Sequence, residues 1–199
     1  AELAQEIGGI AGVWNNGGEN VVMTDCSFTG NLTTNIEGVE FYNGGLVGKP
    51  YSATGNGKLI IDGSVYVASA AELQAAVTAA TGEMLIKLGT DIEGNVTVIQ
   101  KQGVKITIDG QNHKYNGSIK VHSNSNHYAD AALTIKKVNF ESSIASTNFI
   151  EALENGAERY STNITVNECT FTATGEAVNT AVGVQIKSSK NAKVLSCTA

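Results

Sequence analysis

The 199-residue chain contains one proline, Pro50, and one arginine, Arg159, beside abundant Gly, Asn and Thr. That balance suits many short strands joined by tight turns. No apolar run approaches the roughly 18 residues a membrane helix needs, so no such span is encoded. The chain opens at Ala1 without a basic-then-apolar leader, which reads as a mature or excised piece. The last residues, Val194-Leu195-Ser196-Cys197-Thr198-Ala199, stop inside an expected strand, so the natural polypeptide is expected to continue. Three cysteines, odd in number, widely spaced and without CxxC, argue against a disulfide framework or a zinc site. Basic residues are outnumbered, and the net charge of −6 argues against nucleic acid as the main partner. A chain this long buries roughly 70% of its unfolded surface, so a core without staples is expected.

What is present is repetition, the first thing to seek in such a sequence. Val21–Phe28, Leu133–Phe140, Ile164–Phe171 and Ala192–Ala199 align without gaps. Each alternates apolar and polar for three residues, passes two mostly polar ones, then places Cys or Val, with Phe two further on in three of the four. Cys26, Cys169 and Cys197 share one register, which predicts a ladder of small buried side chains. Further period-2 strands surround Ile86, Val98, Ile106, Val121 and Val184. Asp62-Gly63, Asp109-Gly110, Asn116-Gly117 and similar pairs mark turns between them. One strand-and-corner unit recurring near every 30 residues favours a solenoid over a sandwich or barrel. The expected fold is all-β, a right-handed parallel β-helix with a short capping α-helix near 69–80.

That helix is signalled by the capping box Ser69-Ala70-Ala71-Glu72, with Leu73, Ala76, Val77 and Ala80 on one face and Thr81-Gly82 at its end. It would hide the open end of the stack, and a boundary between segments 1–63 and 64–199 is expected beside it. A second possible helix covers about 147–154, inside an insertion at 141–161.

From Ser64 onward the helix, Leu85–Ile92 and Ile106–His113 resemble the start of a pectate-lyase-like right-handed β-helix. Gly8-Gly9-Ile10-Ala11-Gly12 and Gly44-Gly45-Leu46-Val47-Gly48, with Cys26–Gly30 between, are similar to the GLUG repeat of large bacterial surface proteins. The resemblances imply a secreted or wall-attached bacterial protein, adhesin-like or glycan-directed. Pectin hydrolases of that group carry Asn-Thr-Asp, Asp-Asp and His-Gly motifs, none of which occurs here. The lyases use clustered calcium-binding Asp with an Arg or Lys base. Here Asp25, Asp62, Asp91, Asp109 and Asp130 are scattered, and Arg159 lies in the insertion. No catalytic residue, metal or cofactor is therefore assigned.

Candidate ligand contacts remain. With apolar strand members inward, Lys87, Lys105, Lys120, Lys136, Lys187 and Lys193 point out and could form rows suited to an anionic glycan. The alternative is that they only keep an outer face soluble. Tyr128 and Tyr160 could stack on sugar rings. The loop His122–Asp130 holds two His and one Asp at no known metal spacing. Phe149, Ile150 and Leu153 could face the core from the second helix, and Trp14 is read as packing.

The sequence thus predicts a non-catalytic, extracellular β-helix module of a bacterial surface protein, an adhesive or glycan-contacting stalk. One alternative is a polysaccharide lyase or glycoside hydrolase of the same fold, using Asp109, Asp130, Glu141 and Lys136. The other is a structural spacer.

Overall fold

A computed structural model of the chain describes residues 4–7, 11–15, 21–23, 40–43, 47–51, 59–61, 63–123, 128–143, 148–152, 161–174, 181–187 and 189–199, the strands before residue 63 as backbone. It is predominantly β, built from parallel sheets with one short helix. Chain order begins with β1 (Ala4–Ile7), β2 (Ala11–Asn15), β3 (Val21–Met23), β4 (Glu40–Asn43), β5 (Val47–Tyr51) and β6 (Leu59–Ile61). These pair as two stacked trios, β1 with β4, β2 with β5 and β3 with β6, all parallel. Ala4 lies opposite Glu40 and Ala11 opposite Val47, both 36 residues apart. The same spacing separates the two Gly-Gly motifs. Trp14 lies within β2.

At the expected boundary, Gly63 takes φ 76°, a left-handed conformation that suits glycine, and turns β6 into β7 (Ser64–Val67). These two strands pair antiparallel, so one sheet runs through residue 63 while strand direction reverses there. The helix α1 (Ala70–Ala79) follows. The Ser69 hydroxyl accepts from the Glu72 N–H at 3.2 Å, and the Glu72 carboxylate accepts from the Ala68 N–H at 2.7 Å. Leu73, Ala76, Val77 and Ala80 are buried, as their spacing predicts. The expected glycine exit is not used. Ala80 leaves in extended conformation and Gly82 is not left-handed.

Successive trios then supply three sheets. They are β8 (Glu83–Leu88), β9 (Ile92–Glu93) and β10 (Val96–Ile99); β11 (Lys105–Asp109), β12 (Lys114–Asn116) and β13 (Ile119–His122); and β14 (Ala132–Lys136), β15 (Asn139–Ser142) and β16 (Asn148–Ala152). After β17 (Ser161–Thr162) come β18 (Ile164–Asn167), β19 (Thr170–Ala173) and β20 (Val182–Ile186), then β21 (Ser189–Lys190) and β22 (Lys193–Leu195). The long sheet runs β3-β6-β7-β8-β11-β14-β18-β22. A second sheet runs β9-β12-β15-β19, and a third β10-β13-β16-β20. The segment expected as a helix at 147–154 is instead strand β16, parallel to β13 and β20. Phe149 and Ile150 still reach the core. A helix there would leave the third sheet's ladder interrupted, and neighbouring strands on both sides outweigh local propensity. Leu153 lies outside the described residues.

Three of the four aligned segments are stacked neighbours. Leu133 pairs with Ile164, Ile135 with Val166, Phe140 with Phe171, and Val166 with Val194. The polar fifth position turns each corner in left-handed conformation, at Lys137 (φ 53°), Glu168 (φ 53°) and Ser196 (φ 51°). Val138, Cys169 and Cys197 follow, the first two fully buried. The first segment belongs to another part of the stack, where Val21 pairs with Leu59, and Cys26 lies outside the described residues. Inside, Val65, Ile86, Ile108, Ile135 and Val166 form one buried row. Ile92, Tyr115, Phe140 and Phe171 form another. Phe140 and Phe171 stack at 5.3 Å and 10°, and Phe149 tilts against both at 5.8 Å. Such ring pairs add about 0.5–1.5 kcal/mol each beyond area burial.

Two glutamines act as peptide surrogates, which no periodicity reveals. Gln74 of α1 donates to the Thr97 carbonyl at 3.0 Å and accepts from its N–H at 2.8 Å, covering the edge strand β10. Buried Gln100 does the same for Thr162, at 2.7 and 2.8 Å across 62 residues.

Two predictions follow from this packing. Gln100→Leu removes both hydrogen bonds that Gln100 makes to the Thr162 backbone, each lost buried bond costing about 1–3 kcal/mol. Denaturant unfolding is expected to show a loss of about 2–4 kcal/mol, and a loss under 1 kcal/mol would refute the surrogate role. Burial pushes the Cys169 thiol up to about 11. Iodoacetamide mapping at pH 8 should leave Cys169 unlabelled in the native chain and label it on unfolding.

Candidate functional site

The outer face of the long sheet follows from its register. One row reads Glu83, Lys105, Ala132 and a second Leu85, Thr107, Thr134, Thr165, Lys193. A third reads Tyr66, Lys87, Asp109, Lys136, Asn167, Leu195. Neighbouring members are about 4.8 Å apart along a row. Lys105, Lys136, Thr107 and Thr134 line one shallow groove of about 560 Å³, floored partly by Leu85 and Ile106.

Three lysines on this face, Lys105, Lys87 and Lys136, are matched to partners. Lys105 Nζ lies 2.7 Å from Glu83 Oε1, and both side chains are more than half exposed. The contact lowers the Glu83 carboxyl and raises the Lys105 ammonium. Lys87 Nζ sits 5.4 Å from the Tyr66 ring centre, a cation–π distance. Lys136 Nζ is 3.0 Å from Asp109 Oδ2, whose side chain is only 7% exposed. Burial alone would raise the Asp109 carboxyl. The Gln111 N–H and the Lys136 ammonium outweigh it and hold the group below the usual carboxylate range. Asp109 is thus kept ionised beside Lys136, an arrangement that fixes the lysine rather than one that donates a proton.

The remaining candidates are dispersed. Lys120 is on the third sheet, in the row Thr97, Lys120, Glu151, Gln185. Tyr128 lines a separate hollow of about 250 Å³ with Ile99, Lys101 and the α1 residues Val77 and Thr78. Lys187 follows β20 and Lys193 belongs to β22, both exposed at one end of the stack. His122 is buried at the end of β13 and Asp130 is exposed. His127, Arg159 and Tyr160 lie outside the described residues. Among the described residues no three His, Cys, Asp or Glu converge as a metal site would require. Of the residues weighed for a catalytic group, Glu141 is engaged by Lys114 at 3.1 Å.

A second groove, of about 500 Å³, lies at the corner between the second and third sheets and was not legible in sequence. Glu93, Asn95, Asn116, Ser118 and Glu151 line it. Asn95 Oδ1 accepts from the Ser118 N–H at 2.9 Å and its hydroxyl at 3.0 Å, which joins adjacent corners. Glycine makes the corner possible, because a Cβ on Gly117 would lie 2.0 Å from the Gly94 carbonyl oxygen. The available signal was the pair of glycine corners, Gly94-Asn95 and Gly117-Ser118, 23 residues apart.

Comparison of the chain with protein-family models, with curated proteins and with solved structures finds no match.

The Asp109–Lys136 geometry sets a pH dependence. Because the folded carboxyl ionises below its unfolded value near about 4, its contribution is complete above that value and fades as pH falls through the folded one. Unfolding free energy should therefore drop between pH 5 and pH 2. Asp109→Asn, less stable than the parent at pH 7, should show a smaller drop, and equal drops in the two would show that Asp109 is not a source of it.

Proposed function

We propose that the chain is a right-handed parallel β-helix module of a bacterial surface protein, a non-catalytic extracellular stalk that contacts anionic glycan along its long sheet. Three sheets, parallel throughout from β7 onward and each taking one strand from successive trios, support the helical reading. Parallel strands of one sheet are joined right-handedly in nearly all cases. The Gly-Gly repeats and the Ser64–His113 segment support kinship with GLUG and pectate-lyase-like modules. A stack of this kind is a stiff rod with long outward rows, suited to many weak contacts at once.

The observation that carries glycan contact is the shared groove of Lys105, Lys136, Thr107 and Thr134. A uronic-acid carboxylate or a sulfate ester takes Lys105 from Glu83, because that exposed pair is screened by water and holds weakly. Lys136, oriented by Asp109, supplies a second fixed cation, and the threonine hydroxyls meet sugar hydroxyls between them. A second reading, cleavage of a glycan held in the other groove, draws on Glu93 and Glu151, which both line that groove, since glycoside hydrolysis uses a pair of carboxylates.

A glycan array probed at low and moderate salt tests the proposal. Binding to uronic-acid or sulfated glycans is expected, weakening with salt and lost in Lys105→Glu/Lys136→Glu. Release of reducing ends from the bound glycans, abolished in Glu151→Gln, would favour the second reading. No glycan bound under any condition would leave a spacer.

A further inference from the structure

The corner groove between the second and third sheets differs in chemistry from the lysine groove and shares no lining residue with it. Its shape follows from corner length. Two residues, Gly94 and Asn95, join β9 to β10, and two, Gly117 and Ser118, join β12 to β13. Positions 143–147 separate β15 from β16, and Ser143 and Asn148, where that longer connection leaves and returns, both line the groove. Two tight glycine corners stacked beside a long one thus border a hollow of about 500 Å³. Apart from the two glycines, every side chain lining it ends in a hydroxyl, a carboxamide or a carboxylate. Among the described residues no Lys, Arg, aromatic or aliphatic side chain lines it.

Much of this polar capacity is unused. Asn116 and Glu93 are in register, about 4.8 Å apart, and both are exposed at the last positions of their strands. Among the described residues neither side chain makes a hydrogen bond or an ion pair. Asn95 commits its Oδ1 to Ser118 and keeps its Nδ2 as a donor. Asn148 Nδ2 donates to the Glu151 carboxylate and, at 3.2 Å, to Gln185 Oε1, so its own Oδ1 remains an acceptor.

We propose that this groove binds an uncharged sugar unit, held at its hydroxyls by these amides and carboxylates. A hydroxyl is donor and acceptor at once, so it needs both kinds of partner side by side, as Asn116 and Glu93 provide. A bond from a hydroxyl to a carboxylate is charge-assisted and about twice as strong as a neutral one. Two carboxylates with no cation among the lining residues repel uronate and sulfate, the groups the lysine groove favours. A peptide would bring apolar side chains, and the groove has no apolar wall to receive them. Such binding requires neither anionic glycan on the long sheet nor cleavage in the corner.

Nitrogen–proton NMR spectra of the isotope-labelled whole chain, read at the side-chain amides of Asn95, Asn116 and Asn148, test it. The probes are uncharged gluco-, manno-, galacto- and xylo-oligosaccharides. These signals are expected to shift with at least one of them, and added salt should change the affinity little, because no opposite charges meet. Asn116→Ala, at an exposed strand end, should weaken binding about three- to tenfold, and Asn116→Ala/Asn148→Ala at least about tenfold, with circular dichroism confirming that both stay folded. Lys105→Glu/Lys136→Glu should leave this binding unchanged, so that failure of one groove is told apart from failure of the other. Glu93→Gln/Glu151→Gln should admit uronic-acid oligosaccharides that the parent groove refuses. No shift at these amides with any uncharged oligosaccharide would overturn the proposal. Shifts confined to amino-sugar oligosaccharides and suppressed by salt would overturn it too, by making the groove a cation site. Binding that both asparagine variants leave unaltered would do the same, by pointing to another face.

Discussion

The in-register pairing of the long sheet is the constraint on which the rest of the structure depends. Side chains alternate with period two, so a slip of one residue between β11 and β14 would turn Leu133 and Ile135 outward and bury Thr134 and Lys136. The buried row from Val65 to Val166 resists that slip at every strand, since each member rests on the one before. Corners must then return the chain to the same register. Lys137, Glu168 and Ser196 do so by accepting left-handed backbone, and Gly110 by having no Cβ, which would lie 2.3 Å from the Lys137 carbonyl oxygen.

Backbone pairing also explains where polar side chains enter the interior. A stack of parallel strands leaves unpaired N–H and C=O groups wherever a strand lacks a neighbour, and burying such groups without partners is costly. Gln74 and Gln100 solve this with their own amides, which present a donor and an acceptor in the same geometry as a peptide group. Asn163 plays a related part at a corner, donating to the Ala129 and Ala131 carbonyls while accepting from Asn191 of the next turn. A few amides therefore support the stack beside its apolar rows.

The outer face shows how register converts scattered residues into a surface. Lys105 and Lys136 are 31 residues apart in sequence, yet line one groove because β11 and β14 are adjacent. The same rows bring Glu83 to Lys105 and Asp109 to Lys136, so the face is a lattice of paired charges and hydroxyls rather than a bare basic stripe.

The sequence alone determined what is local. The capping box at Ser69 and Glu72, the burial of Leu73 and Val77, the alternation in Lys105–Asp109 and the shared position of Cys169 and Cys197 depend on neighbours in the chain, and all were legible. Segment 147–154 reads as a helix in sequence because its apolar Phe149, Ile150 and Leu153 fit a helical face, while the strands that pair with its Asn148–Ala152 lie about 30 residues away on either side. Only the tertiary structure decided which rows are neighbours: Lys105 with Lys136 but not Lys120, Gln100 with Thr162, Glu93 with Glu151. The reason is that offsets vary, 22 residues from Glu83 to Lys105, 27 from Lys105 to Ala132 and 31 from Leu133 to Ile164. Corner lengths set those offsets, and no pattern within a strand encodes them.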